Sequence, residues 1–315
     1  MQTSDIIERR RLRRRVTWWR AIAVIVAVLL CVSIYRLIFG PSQMPLSRPH
    51  IAEITISGIV ADDPGRIETI REIGEDPNVK ALIVSLSTGG GTTYGGELFY
   101  KTLRDVAQKK PVVSEIRTQA ASAGYMIALA GDRIFAGDTS ITGSIGVLFM
   151  YPQVKDLLDK IGVSMDAIKS APLKAEPSPF NDASAEAQAM VRAMVMDSYD
   201  WFVDLVAERR GLSRDKVLTL ADGRILTGRQ ALEAGLVDAI GGRNAIRDYL
   251  AEQGVSETLE IRSWDSINRN GFGFDLMDIS SKLAEAIGLG SFLTENAFRD
   301  LGVVDGLISV RQDKW

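Results

Sequence analysis

Histidine and cysteine are almost missing from this 315-residue chain, which has one of each, His50 and Cys31. A single cysteine cannot close an intrachain disulfide, and a cysteine-based metal site is excluded with it. The single histidine lies far in sequence from every motif described below, so a nucleophilic serine here lacks its commonest base. Lysine is the usual substitute. Internal repeats and low-complexity segments are also lacking. With 46% hydrophobic and 24% charged residues the composition is that of a globular protein, so disorder is not the default. The length suits one large or two modest domains.

The net charge of −3 hides an asymmetry. Seven arginines oppose only Asp5 and Glu8 in the first twenty residues, which leaves +5 there and −8 on the rest of the chain. A basic tail can point to nucleic acid, but a hydrophobic run follows this one directly, so no nucleic-acid partner is expected. That run, Trp18 to Phe39, just reaches the roughly 20 residues a helix needs to cross the hydrocarbon core. Arg20 and Arg36 lie near its ends, where they can snorkel, and Trp18, Trp19 and Tyr35 suit the interfacial belts. The arginine cluster should remain cytoplasmic, which puts the chain after residue 40 across the membrane. A cleaved signal peptide is the competing reading. No convincing small-x-small site follows the run, which favours an uncleaved anchor. Pro41, Pro45 and Pro49 mark residues 40–50 as a linker.

From residue 51 strands and helices alternate. Strands are expected at Ile51–Val60 (with Gly58 as a bulge), Ala81–Leu86, Pro111–Ile116, Arg133–Ala136 and Ile145–Met150. Helices are expected at Pro64–Ile73 and Glu97–Gln108, with another opened by Ser122. A long one should span Ser184–Arg210, with Val191, Val195, Tyr199, Phe202 and Val206 at helical spacing and Gly211 as its stop. This alternation indicates βαβ units and a largely parallel sheet.

Four segments could carry chemistry. In Thr118-Gln-Ala-Ala-Ser122-Ala-Gly-Tyr, small residues crowd one serine ahead of an apolar helical run. A serine there is ordinarily an N-cap. The alternative is a nucleophile in cleared space, with the Ala123 N–H and the helix dipole ready for a developing negative charge. Ser87-Thr-Gly89-Gly90-Gly91 follows an apolar strand, as either a tight turn or a set of backbone donors for an oxyanion. No Lys-Ser/Thr follows in phosphate-loop register. Ala167-Ile-Lys169-Ser-Ala-Pro-Leu-Lys174 offers two lysines. A lysine serves as general base only when desolvation lowers its pKa several units from about 10.4, and physical reasoning alone does not choose between these two. Thr142-Gly143-Ser144-Ile-Gly-Val is either a turn into a strand or the source of a hydroxyl that orients a base.

In this order the four segments resemble the short form of the bacterial signal peptide peptidase A family, serine peptidases of the ClpP/crotonase fold that use a Ser/Lys dyad. The likeness spans roughly residues 50–245 and includes Gly223-Arg-Ile-Leu-Thr227-Gly-Arg-Gln-Ala…Gly235-Leu-Val-Asp238. It implies an α/β fold of ClpP/crotonase-like repeated ββα units behind one N-terminal transmembrane helix. It also implies Ser122 as nucleophile, Lys174 as general base, Gly89 and Ala123 as oxyanion donors and Ser144 as the hydroxyl that orients the lysine. Thr88 stands where the family usually has proline, Ala123 where it has glycine, and Ala171 and Leu173 also depart from its pattern.

The implied organisation is a basic cytoplasmic tail (1–17), a transmembrane anchor (18–39), the linker (40–50), a peptidase domain (51–254) and a C-terminal extension without a readable role (255–315). The implied activity is endopeptidase cleavage of signal peptides or similar apolar, extended peptides, with no metal and no cofactor. The chain would assemble as a homo-oligomer on the outer face of the cytoplasmic membrane, its N-terminus cytoplasmic and its catalytic domain periplasmic. Cleavage of specific membrane proteins, a non-catalytic scaffold and an acyl-CoA enzyme are the alternatives. The anchor and the missing acidic pair speak against the last.

Overall fold

The apolar run at 81–86 becomes the middle of the molecule because both of its faces are covered: Ala81, Leu82, Ile83, Val84 and Leu86 are all completely buried. The computed structural model describes residues 18–20, 22–28, 30 and 48–265, and the backbone of 308–310. Contacts divide the chain into one unit up to Arg48 and another from Pro49. In the first, the described residues between 18 and 30 are helical and exposed. Among the described residues no helix is long and apolar enough to cross a membrane. Much of the anchor expected at 18–39 lies outside the described residues, as does 266–307 of the C-terminal extension.

The second unit is a mixed α/β structure. Strand β2 (Val79–Thr92) lies between β1 (His50–Val60) and β3 (Val112–Ala121), parallel to both. One edge of β3 is shared. Its first half pairs with β4 (Arg133–Ala136) and its last residues with β5 (Ile141–Gly143). β5 continues antiparallel to β6 (Ile225–Thr227), and β4 parallel to β7 (Ala239–Ile240). β8 (Ile261–Ser263) lines the outer side of β1, so the sheet continues past residue 254. β9 (Ile308–Val310) runs antiparallel to Gly90–Thr92.

Helix boundaries follow their caps. Asp63 accepts from Arg66 N at the start of α1 (Pro64–Glu75), where Pro64 needs no donor partner. Thr92 caps α2 (Thr93–Ala107). α3 (Ala123–Ala128) follows β3, and α4 (Lys155–Lys160) buries none of its residues. α5 (Ala185–Arg210) begins at Ser184, which accepts from Ala187 N, and stops at Gly211 in the left-handed region (φ 63°), as the sequence predicts. α6 (Arg214–Leu218), α7 (Gly228–Glu233) and α8 (Arg243–Glu252) complete the set.

α8 covers one sheet face, where Ile246 and Leu250 pack with Ile51, Ala81, Ile83, Val113 and Phe135. On the sheet Glu53, Ser85 and Glu115 occupy neighbouring strands. The Ser85 hydroxyl lies 2.8 Å from both carboxylates and can donate to either, and Arg243 pairs with both, so this half-buried charge is satisfied largely by its own neighbours.

Two elements differ from expectation. β2 does not end before the glycines but continues through them to Thr92, because Ile59 and Val60 of β1 pair with Gly90 and Gly91. A Cβ at Gly91 would lie 1.9 Å from Val60 O, so only glycine permits that approach. In place of the strand expected at 145–150 stands the short β5, which starts four residues earlier at Ile141. Gly143 (φ 85°) and Ser144 (φ 50°) turn the chain out of the sheet before the apolar residues begin.

Candidate active site

β3 ends in the small residues Ala120 and Ala121, and Ser122 turns the chain directly into α3. At the turn Ser122 adopts φ 57°, ψ −119°, outside the regions an L-residue prefers, and its side chain makes no capping hydrogen bond. The ordinary N-cap explanation for this serine therefore fails. Two backbone bonds hold the turn: Ser122 N donates to Gly143 O at 2.9 Å, and Met126 N donates to Ser122 O at 3.0 Å. Such conformations cost about 1–3 kcal/mol and persist where the surroundings over-determine them. Here every residue of α3 is buried, and Ser122 itself is 1% exposed.

The glycine strand lies against this turn. Thr88 pairs with Ala120 across the β2–β3 ladder. A Cβ at Gly124 would come within 2.8 Å of Thr88 Cγ2 and 3.1 Å of Thr88 O. Gly89, the next residue, has no Cα partner in any of the three ladders of β2, because the register with β1 shifts across it and the ladder with β3 ends at Thr88. It is partly exposed. Ala123, as the first residue of α3, has no intrahelical acceptor for its N–H. The strand that carries Gly89 thus packs against the helix that Ser122 opens.

Ser144 is brought near by the same contacts, since the carbonyl of the preceding Gly143 receives the Ser122 N–H. Its own N–H donates to Arg224 O at 2.7 Å. Ser144 lines a cavity of about 590 Å³ whose walls include Val147, Leu148, Val195, Met196 and Tyr199. A second hollow of about 320 Å³ shares Val195 and Met196 and extends to Phe149, Tyr151 and Pro177. Together they form a groove that starts at Ser144, the residue after the serine's backbone partner Gly143.

The lysines are placed differently from each other. Lys169 donates to the Glu176 carboxylate, which also accepts from Ser178 N. The Lys169 hydrogen bond, followed by that of Ser178, holds the Glu176 carboxyl below its ordinary range. Lys174 is exposed, in a turn where its N–H donates to Ala171 O at 3.1 Å, and no described residue partners its ammonium. Ser122, Gly89, Ala123 and Ser144 are thus gathered, while Lys174 bonds to neither serine. Ser122, Ser144 and Ala175, the neighbour of Lys174, are the non-glycine residues at positive φ among the described residues.

Several supporting residues escape sequence reasoning. Tyr125 is completely buried, and its hydroxyl donates to Leu236 O at 2.8 Å; burial pushes the phenol pKa well up. Asp238 accepts two hydrogen bonds from Arg210 and one from Ile134 N. Burial opposes the Arg210 charge, but Asp238 outweighs it and raises the guanidinium pKa. The Gly-Leu-Val-Asp segment therefore braces the serine-bearing helix. At the far end of α3, Arg209 donates to Leu129 O and Gly131 O, and Arg104 to Ala130 O, supplying partners and positive charge where a helix presents bare carbonyls. The α5 stripe foreseen at helical spacing divides in two. Phe202 and Val206 are core, whereas Val195 and Tyr199 line the cavity.

Residues 104–256 match peptidase family S49. A protein named as a protease in Synechocystis sp. is 37% identical over 207 residues, covering 65% of this chain and 74% of that one. One named signal peptide peptidase SppA in Enterococcus faecium is 30% identical over 277 residues, covering 82% and 79%. Protease 4 of Haemophilus influenzae is 31% identical over 204 residues, 62% of this chain and 33% of its own. Among solved structures, a membrane-bound stomatin-specific protease aligns over 69% of this chain and 98% of its own, at 18% identity and a TM-score of 0.46. With relatives of this identity aligned over most of their own length, and a buried serine turned out of a strand at the head of a helix, the chain belongs to peptidase family S49, the serine peptidases that include signal peptide peptidase A.

Proposed function

We propose that this peptidase is a membrane-anchored endopeptidase of ClpP/crotonase-like fold that uses Ser122 and Lys174 to degrade cleaved signal peptides or similar apolar, extended peptides. The observation that carries the reading is the Ser122 turn, strained and buried, at the head of a helix that packs against the glycine strand. The Ser122 oxygen attacks the scissile carbonyl carbon as its proton passes to the neutral Lys174 amine. The carbonyl oxygen becomes an anion held by the Gly89 and Ala123 N–H groups. Collapse breaks the C–N bond, Lys174 returns the proton to the leaving amine, and an acyl-Ser122 ester remains. Water then attacks the ester by the same route and frees the acid. Ser144 orients the lysine.

Two observations support an apolar, extended substrate. The groove beside Ser144 is walled by Val147, Leu148, Val195 and Met196. The edge at Gly90–Thr92 already accepts an antiparallel strand, β9, so a peptide backbone can pair there.

A lysine acts as a base only where it is desolvated, and Lys174 is exposed, so it needs cover. Leu157, Ile161, Met165 and Ile168 stand exposed on the preceding stretch, a poor surface for a lone chain. A second copy of the chain seated there would bury them and dry the lysine, which makes a homo-oligomer the working form. The apolar run from residue 18 and the arginines before it support a single-pass anchor in the cytoplasmic membrane with the catalytic unit on the periplasmic side.

The test is hydrolysis of a fluorogenic signal-peptide-like substrate by the assembled protein. Ser122→Ala and Lys174→Ala should abolish turnover, while Lys169→Ala should retain it. A folded, oligomeric wild type that hydrolyses no peptide would move the assignment to a scaffold of the same fold.

A further inference from the structure

Resting on the peptidase reading above, we propose that Thr88 is a positioning residue whose hydroxyl fixes the glycine strand so that the Gly89 amide points at the oxyanion formed by Ser122. Thr88 is completely buried, and its hydroxyl is used in both directions. It donates to Gly58 O at 2.6 Å, in the bulge of β1, and accepts from Gly90 N at 3.1 Å. On its other side its methyl carbon faces Gly124 on the serine-bearing helix. One side chain therefore touches the β1 bulge, the glycine strand and the nucleophile's helix.

The restraint matters because the ladders that pair Gly90 and Gly91 leave Gly89 without a partner. Gly89, Gly90 and Gly91 have no side chains to limit their backbone, and Gly90 sits at φ 116°, open only to glycine. Gly90 N–H and Gly89 C=O belong to one planar peptide unit. Holding the first against Thr88 fixes the direction of the second and so limits how far Gly89 can rotate its own N–H. In the family pattern a proline stands at this position and restrains the chain through its ring. Thr88 does so through hydrogen bonds, which a substitution can remove without changing the shape of the side chain.

Thr88→Val is that substitution. A lost oxyanion donor costs about 10²- to 10³-fold in kcat, and a misdirected one less, so kcat should fall about 10- to 100-fold with KM within about threefold. The experiment uses the full chain in its assembled state. It compares wild type, Thr88→Val, Thr88→Ser and Thr88→Cys in peptide hydrolysis, and in affinity for a peptidyl boronate that forms a tetrahedral adduct on Ser122. Thr88→Ser, which keeps the hydroxyl, should restore most of the turnover lost in Thr88→Val. Boronate affinity should weaken in step with kcat, while binding of the intact peptide, measured in a Ser122→Ala background, should not change with Thr88→Val. A folded Thr88→Val protein with wild-type kcat and boronate affinity overturns the proposal, as does Thr88→Ser that is no better than Thr88→Val. If Thr88→Val does not assemble, Thr88→Cys decides: its weaker hydrogen bonds should give an intermediate kcat, and wild-type kcat there overturns the proposal. A wild type inert to peptide and boronate overturns the peptidase reading and this proposal together. An active wild type beside an unaffected Thr88→Val overturns the proposal alone.

Discussion

Adding one methyl group at Gly124 should separate catalysis from stability in this protein. An alanine Cβ there would sit 2.8 Å from Thr88 Cγ2 and 3.1 Å from Thr88 O. The first contact is well inside van der Waals distance, so something must move. Thr88 has little freedom, being held to Gly58 O and Gly90 N and paired with Ala120. α3 has little more, because all its residues are buried and Arg209 and Arg104 tie down the carbonyls beyond its end. Overpacking of this kind costs about 1–3 kcal/mol. Replacing glycine by alanine in a helix returns up to about 1 kcal/mol, so the net loss should be about 0.5–2 kcal/mol. The same methyl pushes Ser122 and Gly89 apart. Displacements well under 1 Å at a reacting centre reduce turnover by about tenfold or more, given that about 1 Å can cost 10²-fold. Urea unfolding and peptide hydrolysis of the assembled protein, followed together, should show a modest shift in midpoint and a much larger fall in kcat. Gly211→Ala is the control. It has open space around its Cβ but sits at φ 63°, so it should lose stability and keep its kcat. A Gly124→Ala protein that turns over like wild type would refute the close apposition of the glycine strand and the serine turn.

Three further outcomes are expected. Arg243→Met leaves the Glu53 and Glu115 carboxylates facing each other without their cation, so unfolding free energy should drop by about 2–4 kcal/mol in urea titration, and an unchanged midpoint would count against the charge arrangement. Glu176 has a folded-state pKa below 4.5, so the unfolded chain binds the extra proton and the stability this carboxylate contributes is lost as pH falls below about 4.5. Lys169→Met should flatten that part of the stability–pH curve while peptide turnover persists; a curve identical to wild type would contradict the pairing. Deleting residues 306–315 removes β9 from the Gly90–Thr92 edge and should lower KM for an extended peptide, whereas an unchanged KM would mean that substrate does not use this edge.

What could be read from sequence follows from how locally each feature is determined. The long helix from Ser184 to Gly211 carries its start, its stripe and its stop within its own residues, and the structure places it within a residue of expectation. The buried central strand was legible from its unbroken apolar run, but its length was not. Glycines read as the end of a strand unless a neighbouring backbone presses against them, as Val60 does at Gly91. The strand expected at 145–150 failed for the opposite reason. An apolar alternation suggested pairing, while two successive positive-φ residues, invisible in composition, had already turned the chain away. Around Ser122 the small residues and the apolar run after them foretold the turn into a helix. The roles of Thr88, Tyr125 and Arg209 were not legible, because each acts on a partner far away in sequence.

The two halves of the proposed chemistry are built in different ways. The acyl-binding half is part of the core: Ser122, Ala123 and Thr88 are buried, and the strain at Ser122 is borne by β3, α3 and the Gly143 carbonyl. Strain of this kind is sustainable only in surroundings that cannot relax, which suits a proposed nucleophile at a buried strand-to-helix turn. The basic half lies on a stretch whose apolar residues are exposed and whose lysine has no partner among the described residues. A lysine buried permanently beside Ser122 would cost several kcal/mol of desolvation in every folded chain. A lysine covered only when another surface arrives incurs that cost only in the assembled protein, where new apolar contacts offset it. On the proposed reading, assembly would both cover Lys174 and bury the exposed apolar residues before it. The refuting result is a chain held monomeric by charged substitutions at Leu157 and Ile161 that still hydrolyses peptide at the wild-type rate.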